Sequence, residues 1–213
     1  MSHPRKDKNT LDTAVRERLL REALRLFEES GYAATSVREI VAAAGVSKPV
    51  LYYYFNNKEG LYLEIMNGIS QLFDQHLEAL HTTSGSVRQR MLDFFAGMFD
   101  AAKKNLPIVK LAYSIYFGPP QGAPYVDFNR FFDQTMATVN DLIGEGISCG
   151  EIVPCDRNVL CWTLVGSYHT ILEEQICRST PRINRDGLLA VINQILDGVA
   201  PQAQRQANQG ATK

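Results

Sequence analysis

Residues 36–55 read Ser36-Val37-Arg38-Glu39-Ile40-Val41-Ala42-Ala43-Ala44-Gly45-Val46-Ser47-Lys48-Pro49-Val50-Leu51-Tyr52-Tyr53-Tyr54-Phe55. Ser36 and Glu39 stand three apart, the pattern of a capping box. The serine oxygen accepts from the third helical amide and the glutamate reaches back to the serine amide, so a helix starts here and runs to Ala44. Gly45-Val46-Ser47 then makes a tight turn, and Ser47 can cap a short helix. Pro49 falls in the first turn of that helix, where its missing amide proton does little harm, and Phe55-Asn56-Asn57 ends it. Two short helices joined by such a turn have the arrangement of a helix-turn-helix, whose second helix enters the major groove of DNA while the first crosses above it.

Working outward, Val15, Leu19, Ala23, Leu26 and Phe27 follow the three-and-four spacing of one helix face over 13–30, and Gly31 can close that helix in a left-handed conformation. Beyond Lys58 the pattern predicts long helices at roughly 58–81, 86–105, 106–117, 126–148, 156–178 and 185–199. Residues 118–124 are a Gly/Pro-rich loop and 151–154 a shorter break. No repeat or alternating strand pattern competes. The chain reads as all-α, with a small N-terminal three-helix unit that contains the helix-turn-helix and a larger C-terminal helical bundle after it. The expected division is a basic flexible arm at 1–12, the helix-turn-helix domain at 13–57, a helical domain at 58–201 and a disordered tail at 202–213.

The third helix carries Lys48, Tyr52, Tyr53 and Tyr54 within seven residues, a basic and aromatic surface with hydroxyl donors suited to phosphates and base edges. Leu51 and Phe55, four apart, read as buried, and one of the three tyrosines packs with them; all three cannot point inward. Together with Gly31-Tyr32-Ala33-Ala34-Thr35 before it and Lys58-Glu59-Gly60-Leu61 after it, this stretch closely resembles the N-terminal domain of TetR-type transcriptional repressors, over about residues 13–65. Pro49 and Val50 stand where Gly-Thr is frequent in that family, and Tyr54 where His is frequent.

The resemblance implies that the three-helix unit is a DNA-binding domain, that the helical bundle at 58–201 is the regulatory, effector-binding and dimerisation domain, and that Ser36, Val37 and Arg38 begin a supporting helix near the DNA backbone. It places Lys48, Pro49, Val50, Tyr52, Tyr53 and Tyr54 on the recognition helix and Lys58 against a phosphate. Elementary chemistry agrees: a helix N-terminus at Ser36 attracts anions, and Arg38 and Lys58 add positive charge. Lys48 can donate to guanine and Val50 can touch a thymine methyl group. Arg5, Lys6 and Lys8 serve either as an arm that reaches DNA or as a solvated tail.

The whole chain has 213 residues, 45% apolar and 21% charged, with a net charge of −1. That composition suits a folded globular protein rather than a disordered or fibrous one, and total charge would not draw it to nucleic acid. Any DNA contact is therefore local: residues 1–60 hold ten basic against eight acidic residues and the remainder twelve against fifteen. The longest uncharged stretch of clear apolar character, residues 158–172, is too short to span a membrane. The polar start, with no apolar run behind it, does not read as a signal peptide. A cytoplasmic protein that does not engage membranes is expected. No HExxH, GxSxG, P-loop or Rossmann pattern occurs, so neither an enzyme nor a cofactor or metal site is expected.

Ten of the twenty aromatic residues lie between Phe94 and Phe132. They read either as plain core or, as the family resemblance favours, as the walls of a pocket for a flat or hydrophobic small-molecule effector. The candidates are Phe95, Phe99, Tyr113, Phe117, Phe128 and Phe132 with Trp162, plus the polar groups of Tyr113, His169 and Glu173. Residues 158–172 are uncharged on all faces, as in a helix buried on more than one side. With the stripe Leu188, Leu189, Ile192, Ile195, Leu196 and Val199 they are expected to form a four-helix interface in a homodimer, which the family resemblance also implies. Cys149, Cys155, Cys161 and Cys177 contain no CxxC pair and read as core packing. Redox or metal sensing through Cys149, Cys155, Cys161 or His169 is the variant reading, and a helical ligand-binding protein without DNA function is a further alternative. The double-stranded DNA operator of the main reading would be near-palindromic.

Overall fold

The computed structural model describes the backbone of residues 8–82, 84–118 and 122–202, and side chains for 12–78, 84–118 and 122–202. Among the described residues there are nine α-helices and no strand. They are α1 (Lys8–Ala34), α2 (Val37–Ala44), α3 (Lys48–Phe55), α4 (Lys58–Thr82), α5 (Val87–Lys104), α6 (Leu106–Phe117), α7 (Asn129–Cys149), α8 (Arg157–Cys177) and α9 (Arg185–Val199). Arg5 and Lys6 of the expected arm, the centre of the 118–124 loop and the tail from residue 203 lie outside the described residues. The helix begins at Lys8, so residues 8–12 are part of α1 and not of an arm. No helix among the described residues is long and apolar enough to cross a membrane.

The chain divides into two compact units. The first comprises residues 1–71 and 106–126, the second residues 72–105 and 127–213. The first unit therefore does not close at residue 57. The early turns of α4 bury Leu61, Tyr62, Ile65 and Met66, and the Tyr62 ring packs edge-on to Phe27 and Tyr32 at 6.1 and 5.0 Å between centroids. Helix α6 also joins it, packing on α1 with Leu111 buried and Lys110 3.6 Å from Glu28. Periodicity shows that a helix has an apolar face; it does not say which neighbour covers that face.

At Gly31 the first helix bends instead of ending. Its φ of 80° and ψ of 161° lie in a region open to glycine and strained for other residues, and a last turn continues to Ala34. The buried Thr35 hydroxyl fastens this elbow, 2.9 Å from the carbonyl of Gly31 and 3.2 Å from that of Leu26. Helix α2 ends on Gly45 in the left-handed conformation, φ 62° and ψ 40°. The amide of Val46 donates to Val41 O at 3.0 Å, satisfying a carbonyl that the helix end would otherwise leave open.

In the second unit α7 packs on α8, and α9 packs on both α5 and α8. Leu188, Ile192 and Leu196 of α9 are buried against these helices of the same chain, so half of the stripe expected to meet a partner is internal, while Leu189, Ile195 and Val199 are half-buried. The N-terminus of α5 is closed by Glu151, whose carboxylate accepts from the amides of Val87 and Arg88 at 3.1 and 3.2 Å. Cys161 is buried, but Cys149, Cys155 and Cys177 are exposed, which corrects the expectation that the cysteines are core. The Cys161 thiol lies 3.3 Å from Met136 O, and burial pushes its pKa up. No group of three metal-ligating side chains gathers among the described residues.

Candidate nucleic-acid interface

The capping box forms as its sequence requires. Ser36 Oγ accepts from the Glu39 amide at 3.2 Å and a Glu39 carboxylate oxygen accepts from the Ser36 amide at 2.8 Å. Hydrogen bonding of the Glu39 carboxylate to the Ser36 side chain, and then to the Ser36 amide, holds that carboxyl below its usual range. The capping box also fills part of the anion site expected at this helix start, because a carboxylate of the chain already occupies the Ser36 amide. Arg38 is exposed and Val37 half-buried, so the positive side chain of this turn is open to solvent.

Helix α3 begins at Lys48 with Pro49 in its first turn, as expected, but the Ser47 side chain makes no capping bond. The helix stands on Leu51 and Phe55, both buried. Phe55 also lies beneath Arg16, whose guanidinium carbon is 5.5 Å from the ring centre. The opposite face is open: Lys48 and Pro49 are exposed and Val50 is half-buried, while Tyr52 is 47% and Tyr53 77% exposed.

Tyr54 is the tyrosine that turns inward. Its hydroxyl donates to the Asp12 carboxylate and lies 3.2 Å from the Asp12 carbonyl oxygen, and this bond, with partial burial, pushes its pKa up to about 12. Tyr54 thus anchors α3 to the start of α1, and its hydroxyl, expected to face DNA, is engaged within the chain. Asp12 is the residue that sequence reasoning missed; it is 42 positions away, with no local pattern to reveal it.

Lys58 also takes a different place from the one expected. Its ammonium donates to the carbonyls of Tyr32 at 2.9 Å and Thr35 at 3.0 Å and sits 4.1 Å from the centre of the Tyr32 ring. Burial lowers its pKa. Two of its three donors close the C-terminal end of α1, so Lys58 ties α4 to the elbow at Gly31.

The residues expected to line an effector pocket fall in both units, Tyr113 and Phe117 in the first and the others in the second. Phe95 and Phe99 are fully buried core. Phe132 bridges Trp162 and His169, with ring centres 5.5 and 5.6 Å apart, and Phe128 stands 6.4 Å from Phe131. His169 is half-buried, and burial lowers its pKa. Glu173 is exposed. Tyr113 and Phe117 pair at 5.6 Å on α6, within the first unit, and Phe117 is 74% exposed. A cavity in the second unit is lined by Ser86, Val87, Arg88, Met91, Glu151, Ile152 and Leu196, none of which belongs to the expected set.

Residues 19–65 match the family model described as bacterial regulatory proteins, tetR family. The chain is similar to the HTH-type transcriptional repressor ComR of Escherichia coli, 36% identical over 39% of this chain and 40% of ComR. It is also similar to the HTH-type transcriptional activator FasR of Mycolicibacterium smegmatis, 35% identical over 52% of this chain and 51% of FasR. These matches span about half the length of those relatives or less. Among solved structures, the TetR family regulator PfmR of Thermus thermophilus superposes with a TM-score of 0.64 at 23% identity, over 84% of this chain and 97% of PfmR; that likeness concerns the fold. The helix-turn-helix with its capping box, the recognition-type helix standing on Leu51 and Phe55, and the matched residues 19–65 lead to one conclusion: this part of the chain is a helix-turn-helix domain of the tetR family of bacterial regulatory proteins.

Proposed function

We propose that this chain is a homodimeric, sequence-specific DNA-binding transcriptional regulator of the cytoplasm, which binds a near-palindromic operator as a repressor and releases it when a hydrophobic or aromatic small molecule binds. The observation that carries the reading is the open face of α3: Lys48, Pro49, Tyr52 and Tyr53 exposed together on a helix whose other side is packed by Leu51 and Phe55. Lys48 and the tyrosine hydroxyls contact base edges and phosphates, and Ser36, Val37 and Arg38 approach the backbone at the start of α2. Tyr54 and Lys58 hold these elements in position.

Dimerisation is supported by α8. Val159 and Trp162 are 63% and 58% exposed, and Gly166 and Thr170 continue the same open stripe at helical spacing. An uncharged stripe that includes an open tryptophan suits a self-complementary contact across a two-fold axis. Such a dimer would set its recognition helices about 34 to 36 Å apart, one helical turn of DNA. For the effector, the Phe132, His169 and Trp162 cluster offers apolar rings with one neutral polar group. An effector acts by binding more tightly to the dimer conformation that does not fit DNA.

Selection of bound sequences from a random duplex library by the purified protein at near-physiological salt tests the reading. An enriched two-fold motif is expected. No enrichment by folded protein would remove sequence-specific DNA binding.

A further inference from the structure

We infer that this protein recognises its half-site through thymine C5-methyl groups, read by Pro49 and Val50. The inference rests on the DNA-binding reading above and specifies what the open face of α3 can distinguish. The eight residues of α3 are Lys48-Pro49-Val50-Leu51-Tyr52-Tyr53-Tyr54-Phe55. They include no Arg, Asn, Gln, Asp or Glu, the side chains that make bidentate hydrogen bonds to guanine or adenine or accept from cytosine in the major groove. Leu51 and Phe55 are buried, and the Tyr54 hydroxyl is held by Asp12. Lys48, Pro49, Val50, Tyr52 and Tyr53 remain.

The first turn of the recognition helix is the part that reaches base edges in this arrangement, and here that turn is apolar after Lys48. Pro49 has no amide proton. The amides of Val50 and Leu51 point back to Ser47 O at 3.1 and 3.4 Å, so they are not aimed outward at an acceptor. What the turn presents is the exposed ring of Pro49 and the half-buried methyl groups of Val50, with Lys48 beside them. In the major groove an apolar surface distinguishes one base feature, the thymine methyl, while Lys48 selects guanine. The tyrosine hydroxyls donate or accept and discriminate weakly. A half-site that combines thymines with a guanine follows.

The test uses duplexes carrying the motif enriched from the random library. Thymidine is replaced by deoxyuridine at one position at a time, in both half-sites, and binding is followed by fluorescence anisotropy. Deoxyuridine keeps every hydrogen-bonding group and deletes the methyl. Burial of one such group contributes about fourfold in affinity, so a critical position altered in both half-sites is expected to weaken binding by roughly an order of magnitude. The loss is expected to shrink in Pro49→Ala, whose site is exposed, and in Val50→Ala once thermal melting shows that it folds. Equal binding of all deoxyuridine duplexes, a methyl effect undiminished in both variants, or an enriched half-site without thymine overturns the inference and leaves DNA binding intact. Failure to enrich any sequence defeats the DNA-binding reading itself.

Discussion

The Tyr54 hydroxyl donates to the carboxylate of Asp12 and so ties the third helix to the first across 42 residues of sequence. This bond pushes the Tyr54 pKa up to about 12. Burial beside Phe27 and Tyr32 raises the Tyr62 hydroxyl to about 12 as well. Both folded values lie above the ordinary tyrosine value, so their contribution to stability is complete below pH ~10 and lost as pH rises toward ~12. Denaturant midpoints measured from pH 9 to pH 12 should fall across that window. Tyr54→Phe should fall less steeply, retaining only the part that belongs to Tyr62.

Lys48 and Lys58 should separate cleanly. Lys48 is exposed, so Lys48→Ala is expected to leave the melting temperature unchanged and to reduce the slope of log affinity against log salt by about one if it meets a phosphate, or to relax base preference if it meets guanine. Lys58→Ala removes the cap on the Tyr32 and Thr35 carbonyls. It is expected to cost about 1 kcal/mol of stability, a figure reduced for the partial exposure of the site, and to spare the salt slope. A stable Lys58→Ala with a reduced slope would return Lys58 to the DNA backbone.

Ser36→Ala removes the acceptor of the Glu39 amide and unbalances the capping box. A loss of about 1 kcal/mol in chemical denaturation is expected, within the range for N-cap serine replacements. Ser47→Ala, at a position where the side chain makes no capping bond, should change stability far less, and equal losses for the two would contradict the difference between these helix starts.

Trp162→Asp places a charge in the open stripe of α8 without disturbing the core of the chain, since the side chain is exposed. Sedimentation should then report a monomer with an unchanged far-ultraviolet spectrum. A persistent dimer would place the two-fold contact elsewhere.

The local features were legible because their causes are local. Ser36 and Glu39 specify a helix start within four residues, and Gly45 specifies its end by its freedom at positive φ. Leu51 and Phe55 were legible as the base of α3 from their spacing. The Tyr54 anchor was half legible: geometry requires one tyrosine to turn inward, but only the folded chain brings Asp12 to it. The capping role of Lys58 was not legible, because the carbonyls it caps exist only where α1 bends at Gly31 and runs on to Ala34. The same limit governed α9. Its leucines and isoleucines announced a buried face, yet nothing in their spacing distinguished α5 and α8 of the same chain from a second subunit. The aromatic run split for a related reason, since Tyr113 and Phe117 travel with α6 into the first unit.

The central claim, that the open face of α3 reads DNA, is tested most directly by the affinity of Tyr53→Ala for the selected operator, measured beside the unaltered protein at one near-physiological salt concentration. Tyr53 is 77% exposed, so its loss should leave the melting temperature where it was. The account expects binding weaker by about tenfold or more, the scale of a lost interfacial aromatic contact. Equal affinity of the two proteins would contradict it.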